Sequence, residues 1–507
     1  MKPELVNPLK LNLLNSLEHS LCRFFCSKSE KKAISERSLH LRINAKYIVA
    51  VAVISFLLFS FSVFVPIEAE KSNNNTPQNI VESDPSDVTG SDPSDVTKPD
   101  SGSDIGNQNS NPTSPPVPSQ KTPFQTGFSG DVPSTSEAQG LIESARVIGG
   151  AFWKDVATSA WQYFQPEVGV NPDTGLPSAG TAWPYFTGWD LGVYIQAIID
   201  ARKLDLIRRR EPWGFYDRVD KVLTFLENRK LTDNALPFWW YQAENGNPFE
   251  EIHPPDYYCN VADSGRLLVA LNNLKIYNNS YATRIANVIN RVNYSIMLNE
   301  IDTLATSNNI YDYFVVSGFA AFWPEKANVS TAILDNIMSA PQIDMNGAQL
   351  PIAKISCEPI LLSIFELEQA DPRMLNLSKQ VYLAHEVFFN DTGQYRAFSE
   401  GPTKSGFVYE WVVLPDGRTW IVQNQEGSDL DIVPIVYTKV AFSFLALHNT
   451  TFARDIVAFL EKNLLPPYIG YYVGISEDRE NIETIGCNTN GLIISAARYA
   501  IQKCNPP

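Results

Sequence analysis

From about residue 136 onward, apolar side chains recur at intervals of three and four residues far more often than at alternate positions, which is the spacing of a helix face. The spacing predicts helices near 145–165, 188–206, 214–229, 263–277, 281–298, 357–369, 372–388, 433–448, 451–463 and 487–503, with at least one more around 312–323. Two stretches alternate instead, Phe407-Val-Tyr-Glu-Trp-Val-Val413 and Arg418-Thr-Trp-Ile-Val422, and Pro415-Asp416-Gly417 between them reads as the turn of an inserted β-hairpin.

The segments 191–199, 267–274 and 360–367 are apolar around most of their circumference, whereas 214–229 and 281–298 carry one apolar face. A helix that is apolar all round is surrounded by protein, and an amphipathic one covers it. Their alternation predicts an all-α domain of about a dozen helices in two concentric rings, an α/α toroid.

The first 135 residues follow other patterns. Residues 1–46 hold nine Lys/Arg against four Glu, and residues 47–67 hold no charge at all. The uncharged run, from Tyr47 to Ile67, has the roughly 20 residues that a helix needs to cross the hydrocarbon core. The basic flank before it and Glu68 and Glu70 after it place 1–46 in the cytoplasm and the rest outside. A cleaved signal peptide fits less well, because 46 residues precede the run and Ile67-Glu68-Ala69 lacks the small residues of a cleavage site. Residues 68–135 hold 12 Ser and 10 Pro and repeat Ser-Asp-Pro-Ser-Asp-Val-Thr at 83–89 and 91–97; with few apolar groups to offset ordering entropy, they read as a disordered, extended tether. The working domain is therefore 136–507, with all ten Trp.

A net charge of −16 over 507 residues argues against a nucleic-acid binder, which needs cations against phosphate. Sequons at Asn278, Asn293, Asn328, Asn376, Asn390 and Asn449 fit an extracytoplasmic surface. Cys22 and Cys26 fall on the reducing side, whereas Cys259, Cys357, Cys487 and Cys504 allow up to two disulfides in any of three pairings. There is no nucleophile elbow, phosphate loop, His-Glu-X-X-His or, beyond residue 136, Cys-X-X-Cys. His19, His40, His253, His385 and His448 are scattered, with His253 reading as a loop residue, and the acidic loop 426–431 lacks calcium-loop spacing. No metal or cofactor is expected.

Four predicted helices begin with polar groups: Thr187-Gly-Trp-Asp190, Asp263-Ser-Gly-Arg266, Ser356-Cys-Glu-Pro359 and Asn488-Thr-Asn-Gly491. Taken singly, each is a helix cap, since Asp and Asn oxygens accept the first free N–H groups. Taken together, parallel inner helices would gather Asp190, Asp263, Glu358, Asn488 and Asn490 at one rim beside Trp189 and Trp411. Carboxylates and amides for hydroxyls, with aromatic faces for sugar rings, make a carbohydrate site.

The segments 186–194, Ala262-Asp-Ser-Gly-Arg266 through Leu271, 355–362, Tyr409-Glu-Trp411 with Gly417-Arg-Thr-Trp420, and Cys487-Asn-Thr-Asn-Gly491, in this order across 180–500, resemble the family called domain of unknown function 3131. That family is similar to the six-hairpin, glucoamylase-like toroids, so the resemblance implies an (α/α)6 barrel and a saccharide ligand, without assigning a reaction. Here the pattern has a Cys before Glu358 and another before Asn488, so a disulfide between those segments is an option.

Glycoside hydrolysis needs one protonated carboxyl and one ionised carboxylate. Helix dipoles favour the charged form of Asp190, Asp263 and Glu358, whereas Glu400 and Glu410 lie on irregular or hairpin backbone where aromatic shielding raises a carboxyl pKa. The expected acid is Glu400 or Glu410 and the expected base Asp190 or Glu358, with Trp189, Asp263, Arg266, Tyr409, Trp411, Asn488 and Asn490 binding the sugar. As helix caps, a turn residue (Glu400) and a solvent-facing strand residue (Glu410), the same groups would do no chemistry. The expectation is a membrane-tethered glycoside hydrolase or lyase acting on envelope or extracellular polysaccharide. The alternative is a noncatalytic saccharide-binding or scaffold module.

Overall fold

The computed structural model describes residues 148–249, 258–367, 370–403, 406–464 and 468–504, all within the second of two units, Thr126–Pro507. The tail 1–46, the span 47–67, the tether 68–135 and His253 lie outside the described residues.

Six helices form a closed ring, and they are those with apolar residues on every side: α2 (Gly188–Lys203), α4 (Val261–Tyr277), α7 (Ile310–Ala320), α9 (Cys357–Glu366), α11 (Thr438–Leu447) and α13 (Cys487–Cys504). Each packs on the next, and α13 packs back on α2. The approach is tight where side chains are small: a β-carbon at Gly192 on α2 would lie 2.9 Å from the Arg266 carbonyl oxygen on α4.

Outside the ring lie α1 (Gly150–Trp161), α3 (Phe215–Asn228), α5 (Ala282–Arg291) with α6 (Ser295–Thr303), α8 (Ala327–Ser339), α10 (Pro372–Thr392) and α12 (Thr451–Asn463). These cover one face only: on α3 the buried positions are Phe215, Arg218, Val219, Val222, Leu223 and Leu226, a helical stripe. Inner and outer helices alternate along the chain, so the inner six all run the same way and their N-termini share one rim.

Every described strand falls in a connection that enters an inner helix: β1 (Tyr185–Phe186), β2 (Tyr241–Gln242), β3 (Gln342–Met345), β4 (Ala348–Pro351), β5 (Glu400–Thr403), β6 (Gly406–Val413), β7 (Thr419–Gln423), β8 (Ile435–Tyr437), β9 (Tyr472–Ser476) and β10 (Asn481–Ile485). β5, β6 and β7 form one antiparallel sheet, β10, β9 and β8 another. The strands are thus built onto the rim where the inner helices start.

Several expectations change. The helix expected at 281–298 is two, broken where Asn293 Oδ1 accepts from the Ser295 hydroxyl at 2.6 Å and starts α6 afresh. Residues 433–437 are not helical, because 435–437 pair with β9. The hairpin gains a third strand, β5. Helix α8 was not anticipated, although Ile333, Leu334 and Ile337 bury one face of it. Cys259, Cys357 and Cys487 are buried free thiols, so no disulfide joins the Glu358 and Asn488 segments; ordinary packing holds them.

Candidate active site

The shared rim opens into a cleft of about 480 Å³. Asp190, Asp263, Tyr311, Lys439 and Asn488 come to it from five inner helices, and Glu400, Tyr409 and Trp411 from the β5–β7 sheet.

Glu400 opens β5 and pairs with Tyr409 on β6, so both side chains leave the same face of the sheet. It is 6% exposed. Burial pushes its carboxyl up to about 8; the charge of Glu358 pushes the same way, and Lys439 and the Tyr311 hydroxyl pull against it. Burial likewise raises Asp190 to about 7, with Asp263 adding to the rise and Thr187 opposing it. The dipole argument made Asp190 an easy anion, but removal from water outweighs the half-charge of a helix end. Asp190 is also the cap that its spacing implied: its Oδ2 accepts from Thr187 N at 3.0 Å, and the Thr187 hydroxyl accepts in return.

Asp263 has a different environment. Asn260 takes over the capping of α4, accepting from Asp263 N at 2.8 Å, and frees the Asp263 carboxylate to accept from Trp189 N at 2.9 Å. Burial raises its pKa, while donors from Thr187, Trp189, Trp239 and Asn260 act to hold it charged.

Glu358, one of the expected bases, lies under the cleft floor with no exposure. It pairs with Lys439, accepts from Ser399 Oγ at 2.9 Å and from Asn488 Nδ2 at 2.7 Å, and is not among the residues lining the cleft. Its carboxylate is consumed in holding the floor together.

Three further site candidates also stand away from the cleft. Glu410 sits between Tyr409 and Trp411, which both line it, so strand alternation turns Glu410 to the back of the sheet. There its Oε1 accepts from Ile435 N at 2.7 Å, and burial raises its pKa well above the ordinary range. It is 1% exposed, neither solvent-facing nor placed to reach a sugar. Arg266 points into the barrel interior, 2.7 Å from Glu366. Asn490 braces the loop before α13, accepting from Tyr471 N at 2.8 Å and donating to Gly486 O at 2.9 Å. Among the expected residues, the cleft gathers Asp190, Glu400, Trp189, Asp263, Tyr409, Trp411 and Asn488.

The cleft also holds residues that sequence reasoning passed over. Lys439 was legible as a lone charge in an otherwise apolar helix start, a position that implies a buried partner. Tyr311 follows the capping Asn309, whose Oδ1 accepts from Tyr311 N at 3.2 Å, just ahead of where the helix was expected. Trp183, Trp239, Trp240 and Phe407 line the cleft from loops and a strand edge, where no periodicity marks them. Trp189 Nε1, Trp411 Nε1 and Asn488 Oδ1 are buried beside the cleft with no protein hydrogen-bond partner.

The pattern of the family described as Protein of unknown function (DUF3131) matches residues 155–317 and 320–503. Among solved structures, the endo-beta-1,2-glucanase of Chitinophaga pinensis, in complex with sophorotriose and glucose, is 13% identical over 71% of this chain and 95% of its own, with a TM-score of 0.53. The endo-beta-1,2-glucanase of Talaromyces funiculosus, in complex with sophorose, is 11% identical over 72% of this chain and 87% of its own, with a TM-score of 0.50. At these identities the likeness establishes the shared toroid fold. Comparison with curated proteins gave no match.

Proposed function

The chain belongs to the DUF3131 family, and from that premise and the cleft we propose that it is a glycoside hydrolase with Glu400 as general acid and Asp263 as its ionised partner. The observation that carries the reading is the pairing of environments in one cleft: a carboxyl raised to about 8, which keeps its proton at neutral pH, shares it with a carboxyl held by several donors. Glu400 gives its proton to the glycosidic oxygen as the bond to the anomeric carbon breaks. Asp263 supplies the negative charge that the oxocarbenium-like transition state requires, and water completes the exchange by bonding to the anomeric carbon and giving its proton back to the Glu400 carboxylate. Asp263 is preferred to Asp190 because its charge is felt at Glu400 and because Asp190 is bound into its capping box.

Hydrolysis is favoured over elimination. A lyase must neutralise the carboxylate of a uronic acid; among the described residues no Arg or His lines the cleft, and its two lysines are engaged, Lys439 with Glu358 and Lys354 over the Trp411 ring. The named activity of the two structural neighbours supports a β-linked glucan as substrate. We also propose that the run 47–67 anchors the chain, with the toroid outside the membrane; protease accessibility of the toroid in intact cells tests that placement.

Release of reducing ends by the full chain, from a panel of α- and β-glucans including β-1,2-glucan, tests the hydrolase reading beside Glu400→Gln and Asp263→Asn. Activity that both substitutions abolish supports it. Saturable binding with no release from any substrate replaces it with a noncatalytic saccharide-binding module.

A further inference from the structure

Two aromatic groups reach the cleft, and they belong to different parts of the chain. In the first, Trp183 packs against Tyr185 at 4.8 Å between centroids and edge-on to Trp240 at 5.9 Å, and Trp239 follows at 6.1 Å from Trp240. In the second, Phe407 meets Tyr409 at 5.4 Å, Tyr409 stacks with Trp411 at 5.9 Å, and Tyr311 closes on Trp411 at 5.7 Å. Trp183 and Phe407 are 39% and 37% exposed, among the few large apolar side chains of the described residues left in solvent, and both line the cleft.

Each group carries one of the two carboxyls. Trp239 donates to Asp263, and Tyr311 and Tyr409 flank Glu400. A linkage held between Glu400 and Asp263 therefore has an aromatic wall on the side of each, and sugar rings beyond the reacting pair meet an indole or a phenyl face. The charges narrow the ligand further. Asp190, Asp263 and Asp312, beside the protonated Glu400, line the cleft against Lys354 and Lys439; Lys439 is paired with Glu358, and Lys354 lies 4.6 Å over the Trp411 ring. An anionic polymer would find carboxylates and no free cation pair to receive it.

Resting on the hydrolase reading, we propose that the cleft takes an uncharged polysaccharide chain across both aromatic walls, with Trp183 and Phe407 as its outer stacking platforms, and cuts within the chain. Affinity electrophoresis of the full chain bearing Glu400→Gln, through gels containing β-1,2-glucan, β-1,3-glucan, alginate or hyaluronan, reads binding without cleavage. At least one neutral glucan should retard it, the two anionic polymers should not, and Trp183→Ala and Phe407→Ala should each weaken retention by about twofold to tenfold. Tyr468→Ala, at a 98% exposed aromatic outside the cleft lining, should leave retention unchanged. With the parent chain, early products from the retained glucan should be oligosaccharides of mixed length. Retention by an anionic polymer, retention by no neutral glucan, or full retention in both platform variants overturns the proposal. Release of monosaccharide alone overturns cutting within the chain. Retention without any cleavage instead removes the hydrolase reading and leaves the walls as a binding surface.

Discussion

Asn488 donates its side-chain amide to Oε1 of Glu358 across 2.7 Å, latching the last inner helix to α9 directly beneath the cleft. The same carboxylate holds Lys439 and the hydroxyl of Ser399, the residue before Glu400. The floor is a buried ion pair whose carboxylate also accepts from Ser399 and Asn488, and Glu400, the proposed general acid, follows Ser399 in the chain.

Breaking that pair on one side should be costly. Glu358→Gln leaves the Lys439 ammonium buried without a counter-charge, and chemical denaturation should show a loss of about 3–5 kcal/mol. Adding Lys439→Met removes the stranded charge, and most of the loss should be recovered. Equal instability of the single and double variants would mean that the pair matters through packing alone.

Glu400→Gln keeps the shape of the side chain and removes the proton that the proposed mechanism delivers. The turnover number should fall by about 10²–10⁴-fold while affinity for the polysaccharide is retained. A loss of affinity with unchanged turnover would assign Glu400 to binding.

The pH profile of kcat/KM should be bell-shaped. Its alkaline limb should fall near pH 8, where Glu400 gives up its proton to solvent, and its acid limb should follow the ionisation of Asp263 above the ordinary aspartate range. In Asp263→Asn any residual activity should lack the acid limb.

Stability should move against pH over the same range. Glu400, Asp190 and Glu366 are raised to about 8, 7 and 7 by burial, so between their ordinary values and these the folded chain binds more protons than the unfolded one. Stabilisation of these protonated carboxyls is fully present below the unfolded pKa values and is lost as pH rises through the folded ones. Melting temperature should therefore decline from about pH 5 to pH 8, and Glu400→Gln should flatten the upper part of the decline.

Thiol chemistry checks the absence of a bridge. Cys259, Cys357 and Cys487 are buried, and burial raises Cys259 to about 12, so they should resist a thiol reagent in the native chain. All three should react in denaturant without any reductant. Failure of Cys357 and Cys487 to react would restore the disulfide.

Much of the ring could be read from residue spacing because fully apolar helices differ so plainly from one-faced ones. Helix α8 escaped notice: its buried face is only Ser330, Ile333, Leu334 and Ile337, preceded by Pro324-Glu325-Lys326, which reads as a loop. The rim carboxylates could be found as helix starts, and the capping box at Thr187 and Asp190 is as the spacing implied. What spacing could not resolve was which carboxylates face the cleft. Glu358 and Asp263 each open an inner helix, yet Lys439, distant in sequence, turns one into a floor support while Asn260 frees the other. Glu410 shows the limit from the other side, because Tyr409 and Trp411 at the cleft already oblige it to point away. That alternation was present in the sequence, but its orientation was not.

The ring closes between its two ends. Cys487 Sγ lies 3.5 Å from the Asp190 carbonyl oxygen, a contact between residues 297 positions apart. During synthesis Asp263 and Glu400 precede the helix that brings Asn488 to Glu358, and the entropy of closing so long a loop is met only when that helix docks. A chain without α13 holds every carboxyl of the cleft but lacks the contact that closes the ring, so the rim is in effect a readout of ring closure.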